Sequence, residues 1–535
     1  MTELPTRTRF IMPAPPPREA SLASALAHLP RLHPDMLGTL PPDVARPQYH
    51  RTELHPGIVH LGIGSFARAL LGVANEAAIH AGGDPRFGIV GVSLRSPAVR
   101  DALAPQGGLY TVARRDADAA GQRRQRLQVI GNLMRVLVAP EDPGAVIEAI
   151  ASPYARIVSL TITEKGYTLD PASGRLLEEH PDIAHDLQQD PGDRRRAPEL
   201  RTALGFIVHG LDVRRTRGLR PVTLLSLDNL PHNGRTLQGL VLAFARRVAP
   251  ELADWIETRC TFPNSVVDRI VPATTDVDRE QVAAQLGHFD AWPVPTEPYL
   301  DWAVEDRFVA GRPDWHLGGA RVVNDATAWQ QLKLRVVNGS HSAMAYLAAM
   351  AGWGTVDQAI AQPEMRAFVR GMQLEEVAPT LLPLPNLDLT AYVDGLLVRF
   401  ANPALAHRTQ QIAMDGSQKL PQRLLATVGE RLARGAPISR LALAVAGWMH
   451  YLRGIDEWGR PYAIDDPLAA ALAAARDAAA HETTLRDRVA AFTHFTPVFG
   501  ELAGHATLVD ALTRALESLQ QTGVRATVGR WASER

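Results

Sequence analysis

The sequence predicts an α/β protein in two parts: a doubly wound, largely parallel sheet over residues 56–320, then a mainly α-helical domain over 321–535. Three observations predict it. An apolar run leads into a glycine turn and then a helical pattern at Gly57–Ala78. Strand-like runs and helical patterns alternate from there to about residue 320, as parallel strands with helical crossovers require. Beyond Ala320 the strand signals fade, and apolar residues keep helical spacing to the C-terminus.

Composition bounds the function. The 535 residues are 46% hydrophobic and 21% charged with a net charge of -1, enough for two domains with sizeable cores. Balanced charge argues against a nucleic-acid partner or an anionic membrane. Arginine clusters at Arg123–Arg124 with Arg126, Arg194–Arg196, and Arg214–Arg215 with Arg217 have no interleaved aromatics and read as solvated faces. Cys260 is the single cysteine, which leaves no intrachain disulfide and no cysteine-based zinc site, and fits a reducing, cytoplasmic setting. No apolar run approaches the roughly 18 residues of a membrane span. Residues 1–55 read as an N-terminal arm, with a flexible proline-rich stretch and a short helix around Leu22–Leu29.

The first element in order is the strand Ile58–Leu61, followed by Gly62-x-Gly64 and a helix, with Ala67 in place of a third glycine. Gly62 permits the turn, Gly64 lets backbone approach a pyrophosphate, and the helix N-terminus offers free amides. This is the Rossmann-type dinucleotide fingerprint. A second strand, Gly88–Leu94, ends in Arg95-Ser96 with no acidic residue to take a ribose 2′-hydroxyl. Arg95 suits a 2′-phosphate or stacking on adenine, so NAD is the default cofactor and NADP stays open. Further strands read at Leu127–Ile130, Arg156–Thr163 and Val222–Leu227, with helices at Gly144–Ala151, Glu199–Arg217 and Arg235–Val248. In such sheets ligands lie beyond the C-terminal strand ends, which here carry Thr163-Glu164-Lys165 and Asp228-Asn229.

The helical domain opens on KLRVVNGSHSAMAYL, Lys333–Leu347. At 3.6 residues per turn Asn338 and His341 share a face, and the long Lys333 stem can lean toward it. An Asn-Gly pair inside a sustained helical period breaks a local rule, and such breaks mark functional sites. An amine, an amide and an imidazole on one cavity can handle a carbonyl or alcohol: lysine moves the proton and the others hold the oxygen.

These blocks together resemble the polyol-specific long-chain dehydrogenase family, which includes mannitol 2-dehydrogenase and fructuronate reductase. The resemblance runs over residues 57–525 through the Gly57 turn, SLTITEKGY (Ser159–Tyr167), SLDNLPHNG (Ser226–Gly234), FPNSVVDRIVP (Phe262–Pro272), EPYLDWAVEDRF (Glu297–Phe308) and KLRVVNGSH (Lys333–His341). It implies Lys333 as general acid/base, with Asn229 and Asn338 donating to the reacting oxygen. It further implies that His341 positions a substrate hydroxyl or the lysine, and that Asp268 orients the lysine or binds a hydroxyl. Gly62, Gly64, Ser65, Phe66 and Arg95 would hold the cofactor, and no metal is implied. Without the resemblance, Asp268 reads as an ion pair with Arg269 and Asn229 as a turn before Pro231.

Two blocks favour the fructuronate reductase branch, the reversible reduction of the D-fructuronate ketone to D-mannonate. Lys165 stands where mannitol dehydrogenases carry glycine and suits a substrate carboxylate, though it also reads as a surface turn lysine. HRTQQIAMDGSQKLPQRLL (His407–Leu425) looks like the reductase version, with Gln411 in place of an arginine; Lys419 is common to both branches. The other readings are a mannitol or arabinitol 2-dehydrogenase and a nicotinamide-binding sensor without catalysis. The chain departs from the family pattern at Ala67 and Leu70, where histidines are usual, at Gln330 in place of a glutamate, and at Gly107 in place of an aspartate. The resemblance is compatible with a monomer.

Overall fold

Seven strands run in sequence through the first domain of the computed structural model. They are β1 (Ile58–Leu61), β2 (Ile89–Ser93), β3 (Tyr110–Ala117), β4 (Arg123–Ile130), β5 (Leu133–Val138), β6 (Ile157–Leu160) and β7 (Thr223–Ser226). The structure describes residues 26, 29–117, 122–170, 174–193, 198–384, 387–405 and 407–533. Five of the strands form one parallel sheet in the order β5-β2-β1-β6-β7. Ile58, Ile89 and Ile157 enter the core on one face; Val59, Val90 and Val158, one residue on, enter the core on the other. Burial of both faces is why these strands read as continuous apolar runs rather than as alternating ones. The strand order reverses at β1, so the C-terminal ends of β1 and β6 flank the crevice in which such sheets bind dinucleotides.

The helices fall where the apolar periods place them, at Ser65–His80, Pro143–Ile150, Ala203–Thr216 and Asn233–Val248. Thr202 starts the third by accepting from the Gly205 amide at 3.0 Å. Arg214, expected on a solvated face, is buried instead. Its guanidinium donates to the Ile150, Ser152 and Arg220 carbonyls, which would otherwise be left unpaired at element ends.

Residues 29–55, expected as part of an N-terminal arm, pack on the body of the protein. The proline-rich stretch, most of the Leu22–Leu29 helix and Arg194–Arg196 lie outside the described residues. From residue 29 the chain packs on the first domain: Leu32, Leu40 and Val44 join Leu109, Val129 and Val282 in one cluster. Tyr49 donates to the buried Glu76 carboxylate at 2.8 Å, and Arg51 donates to the Gly131 carbonyl at 2.8 Å. Pro34 also accounts for the missing aspartate at residue 107. A Cβ there would come within 2.8 Å of the Pro34 ring, and φ of 60° is a left-handed conformation that favours glycine.

Four more strands follow, β8 (Ser265–Asp268), β9 (Val294–Thr296), β10 (Asp301–Glu305) and β11 (Arg321–Val323); β11 pairs with β10, so the sheet runs just past the boundary expected at residue 320. β8 pairs antiparallel with β10, while β9 extends the β3–β4 hairpin. From Thr327 onward the described elements are helical. The helix Gly339–Met350 lies in the middle of this second domain, its Tyr346 and Leu347 sharing a core with Phe368, Trp448, Leu512 and Trp531. No helix among the described residues is long and apolar enough to cross a membrane.

Candidate active site

The segment carrying Lys333 is not a regular α-helix. Thr327–Leu332 and Gly339–Met350 are α-helical, but Lys333–Asn338 between them winds as a π-helix. Five residues of α-helix would set Lys333 and Asn338 about 140° apart around the axis. Hydrogen bonding from i to i+5 brings residues of that separation onto one side. The local winding therefore does what the lysine stem alone was expected to do. Lys333 and Asn338 are each only 7% exposed.

Lys333 projects across the domain boundary and its Nζ donates to Asn229 Oδ1, beyond the end of β7. Burial pushes its pKa down to about 8; Arg423 and Arg399 add to that shift, while Asp268 and Glu164 oppose it. Asp268, at the end of β8, is held by Arg399 from the helix Leu389–Phe400. Burial acts to raise the Asp268 carboxyl, but Arg399, Lys333 and His341 outweigh it and keep the group below the usual carboxylate range. The sequence-based alternative for Asp268 fails, because Arg269 donates to the Ala69 and Glu297 carbonyls. Arg399 also grips Glu297 through two bonds of 2.6 Å, and Glu297 accepts from the Ile270 amide at 2.6 Å. One guanidinium from the helical domain thus clamps two carboxylates of the sheet domain.

Asn338 Nδ2 and His341 Nε2 are buried and have no protein partner. Buried polar atoms are normally satisfied, so these two leave hydrogen-bonding capacity open on the helical segment that carries Lys333. His341 packs on Phe400 at 4.4 Å and edge-on to His407 at 5.5 Å. Burial first, then His407 and Arg399, hold its pKa well below the ordinary histidine value, so the imidazole is neutral near pH 7.

The ends of β6 and β7 are tied to each other by Asp228. Its carboxylate accepts from the Ile162 and Thr163 amides at 2.9 and 3.0 Å and from the Tyr167 hydroxyl at 2.8 Å. These bonds hold Thr163 in a left-handed conformation (φ 62°) and fix the turn that carries Glu164 and Lys165. Asn233 and Asn264 set the approach to Asn229. Asn233 bridges the Ser226 and Asp228 carbonyls and the Ser265 amide, while Asn264 accepts from the Gly234 and Arg235 amides at a helix start.

Other expected residues are placed less centrally. Lys165 is exposed on the short helix Thr163–Gly166. Gln411 is exposed on the helix Thr409–Ala413. Lys419 spends its ammonium on the Met414 carbonyl at 2.5 Å and on Asp415 at 3.6 Å. Gln330 accepts from the His232 amide at 3.1 Å, bridging the two domains. Sequence reasoning missed Arg399 and Arg423. The only signal for them was a cation on a helix otherwise shared with core residues.

At the dinucleotide end, Gly62 has φ of 87°, and a Cβ there would collide with the Thr161 carbonyl. Gly64 precedes the helix Ser65–His80, which has no side-chain cap, and a Cβ on it would meet nothing closer than 3.9 Å. Ser65 is half-buried and Phe66 packs against the core behind the turn. Ala67 and Leu70, where the family pattern has histidines, are buried core residues. Arg95 is exposed just past β2.

Residues 56–317 match the mannitol dehydrogenase Rossmann domain and residues 325–520 the mannitol dehydrogenase C-terminal domain. D-mannonate oxidoreductase of Escherichia coli K12 is 41% identical over 90% of the chain and 97% of its own length. Mannitol 2-dehydrogenase of Phaeosphaeria nodorum is 38% identical over 92% of the chain and 84% of its own length. The solved mannitol 2-dehydrogenase of Pseudomonas fluorescens, in ternary complex with NAD and D-mannitol, superposes with a TM-score of 0.80 at 35% identity, covering 94% of this chain and all of that one. By these matches the chain belongs to the mannitol dehydrogenase family and is an oxidoreductase with a Rossmann domain.

Proposed function

We propose that this member of the mannitol dehydrogenase family reduces the ketone of a keto-hexuronate, D-fructuronate to D-mannonate, reversibly and with NADH. The observation that carries the reading is the buried Lys333 ammonium, lowered to about 8 and flanked by the unpartnered Asn338 and His341 nitrogens. A proton donor of that pKa is matched to work near neutrality. The residues present fit a dinucleotide: uncapped first-turn amides after Gly64, from Ser65 and Phe66 onward, suit a pyrophosphate, and exposed Arg95 suits the adenosine end. The nicotinamide supplies the hydride when bound.

The protein's own groups handle the proton and the charge. In the reducing direction Lys333 Nζ–H gives its proton to the ketone oxygen as that oxygen gains negative charge. The Asn338 amide, together with the Asn229 amide on the opposite domain, holds the oxygen in place. Asp268 keeps the lysine charged and aimed; Arg399 keeps Asp268 ionised and unable to take the proton itself. In the oxidising direction the neutral lysine amine takes the alcohol proton. The neutral His341 imidazole suits a neighbouring sugar hydroxyl.

Charge supports this substrate class. The enclosed groups around Lys333 are three cations, Lys333, Arg399 and the half-buried Arg423, against the carboxylates Asp268 and Glu297; Glu164 also acts on Lys333 but is exposed, and Lys419 and Asp415 offset each other. A substrate carboxylate would balance this surplus, and a neutral ketose would not. The identity to D-mannonate oxidoreductase supports the same choice. The identity to mannitol 2-dehydrogenases supports a second reading, reduction of a neutral ketose such as D-fructose. NADH consumption with D-fructuronate and D-fructose in parallel separates them, with NADPH tested alongside. Turnover of fructuronate in strong preference to fructose is expected. Turnover of fructose alone returns the chain to the neutral-ketose reading, and NADH binding without turnover of either favours a sensor.

A further inference from the structure

We infer that Arg423 is the specificity-determining residue of this site, the guanidinium that anchors the carboxylate of a hexuronate. The inference rests on the hexuronate reading and replaces Lys165 as the expected anchor. Arg423 lies in a π-helical segment, Pro421–Leu425, that crosses the Lys333-bearing helix at Gly339. A Cβ at residue 339 would stand 3.2 Å from the Arg423 carbonyl oxygen, so glycine beside Asn338 permits this close crossing. The crossing lays the guanidinium along the face that carries Asn338, His341 and Ser342, where its NH1 donates to Ser342 Oγ at 3.2 Å.

That hydroxyl is a small share of what a guanidinium can donate. Arg423 Nε is buried with no partner, and no carboxylate among the described residues comes within ion-pair distance of the group. Glu164 and Asp415 attract it from farther away; Glu164 is exposed and Asp415 already faces Lys419. Arg399 and Arg214, by contrast, are fully engaged: Arg399 binds two carboxylates, and Arg214 binds four carbonyls. A half-buried guanidinium with a buried, unpartnered Nε, near Lys333 and His341, matches a planar carboxylate, which can accept from Nε and a terminal nitrogen together. Arg423 is close enough to Lys333 and His341 to shift both, so a ligand carboxylate on it belongs to a molecule that also reaches Lys333. Lys165, by contrast, is exposed, and the charges acting most on Lys333 are Asp268, Arg423, Arg399 and Glu164.

The test is steady-state kinetics of Arg423→Gln and Arg423→Lys with D-fructuronate and D-fructose, together with NADH binding as a check on folding. Arg423→Gln is expected to lose roughly 10- to 100-fold in kcat/KM for fructuronate, mostly through KM, with a much smaller change for fructose. Arg423→Lys keeps the charge but loses the fork, and is expected to fall between. If the glutamine variant does not fold, the lysine variant is read alone, and an unchanged fructuronate KM overturns the assignment. It is equally overturned if Lys165→Ala, rather than Arg423→Gln, loses the preference for fructuronate. A wild-type enzyme that reduces fructose but not fructuronate overturns the hexuronate reading itself, and this inference with it. A wild-type enzyme that reduces fructuronate while Arg423→Gln keeps its KM leaves that reading standing and removes only the anchor.

Discussion

Lys333→Ala is expected to lower kcat for ketone reduction by about 10²- to 10⁴-fold, the usual contribution of a positioned general acid, with NADH binding unchanged. The lysine touches the reacting end of the cleft through Asn229 and lies in a helical domain, away from the glycine turn at Gly62–Gly64. Its removal leaves Asp268 still paired with Arg399, so the site keeps its ionic clamp and the loss falls on proton transfer. Lys333→Arg sharpens the point: a guanidinium stays protonated across the working range and donates hydrogen bonds without giving up its proton. Both variants should bind NADH and both should turn over poorly. A loss of less than tenfold in either would remove the lysine from the proton-transfer role.

Arg399→Leu should destabilise the protein by about 3–5 kcal/mol in equilibrium denaturation, the range for breaking a buried ion pair and stranding its partners. Two carboxylates are stranded here, Asp268 and Glu297, both in the sheet domain, while the guanidinium comes from the helical domain. The effect should therefore appear as loosened docking of the two domains, seen as faster proteolysis at their junction. A second readout has a definite sign. Arg399 is one of the cations that lower the Lys333 pKa, so its loss should move the lysine titration to higher pH. Loss of stability without that movement would mean that Arg399 is only a structural clamp. A change of under about 1 kcal/mol would mean that the triad is not buried as described.

Much of this was legible in the sequence wherever the cause is local. The glycine turn needs a left-handed residue at Gly62 and leaves the backbone open at Gly64, and both lie within the short stretch between strand and helix. The continuous apolar strands announced a sheet buried on both faces. Lys333, Asn338 and His341 could be named because they interrupt an apolar period, but not how they converge: a period of 3.6 does not show a π-helical turn. What escaped the sequence depends on contacts distant in the chain. Arg399 meets Asp268 across 131 residues and Glu297 across 102, and Arg423 meets Ser342 across 81. On their own helices these arginines look like ordinary solvated cations. The packing of residues 29–55 escaped for the same reason, since Tyr49 and Arg51 are tied down by Glu76, Gly131 and Leu133.

The central claim is that Lys333, lowered to about 8, moves the proton. The most direct test is the pH dependence of kcat/KM in both directions on the wild-type enzyme. Reduction needs the ammonium, so its rate should hold below pH 8 and fall as the pH rises through that value. Oxidation needs the neutral amine, so its rate should fall as the pH drops below the same region. Mirror-image limbs are the predicted result. Profiles that are flat across this range, or that bend the same way in both directions, would contradict the assignment.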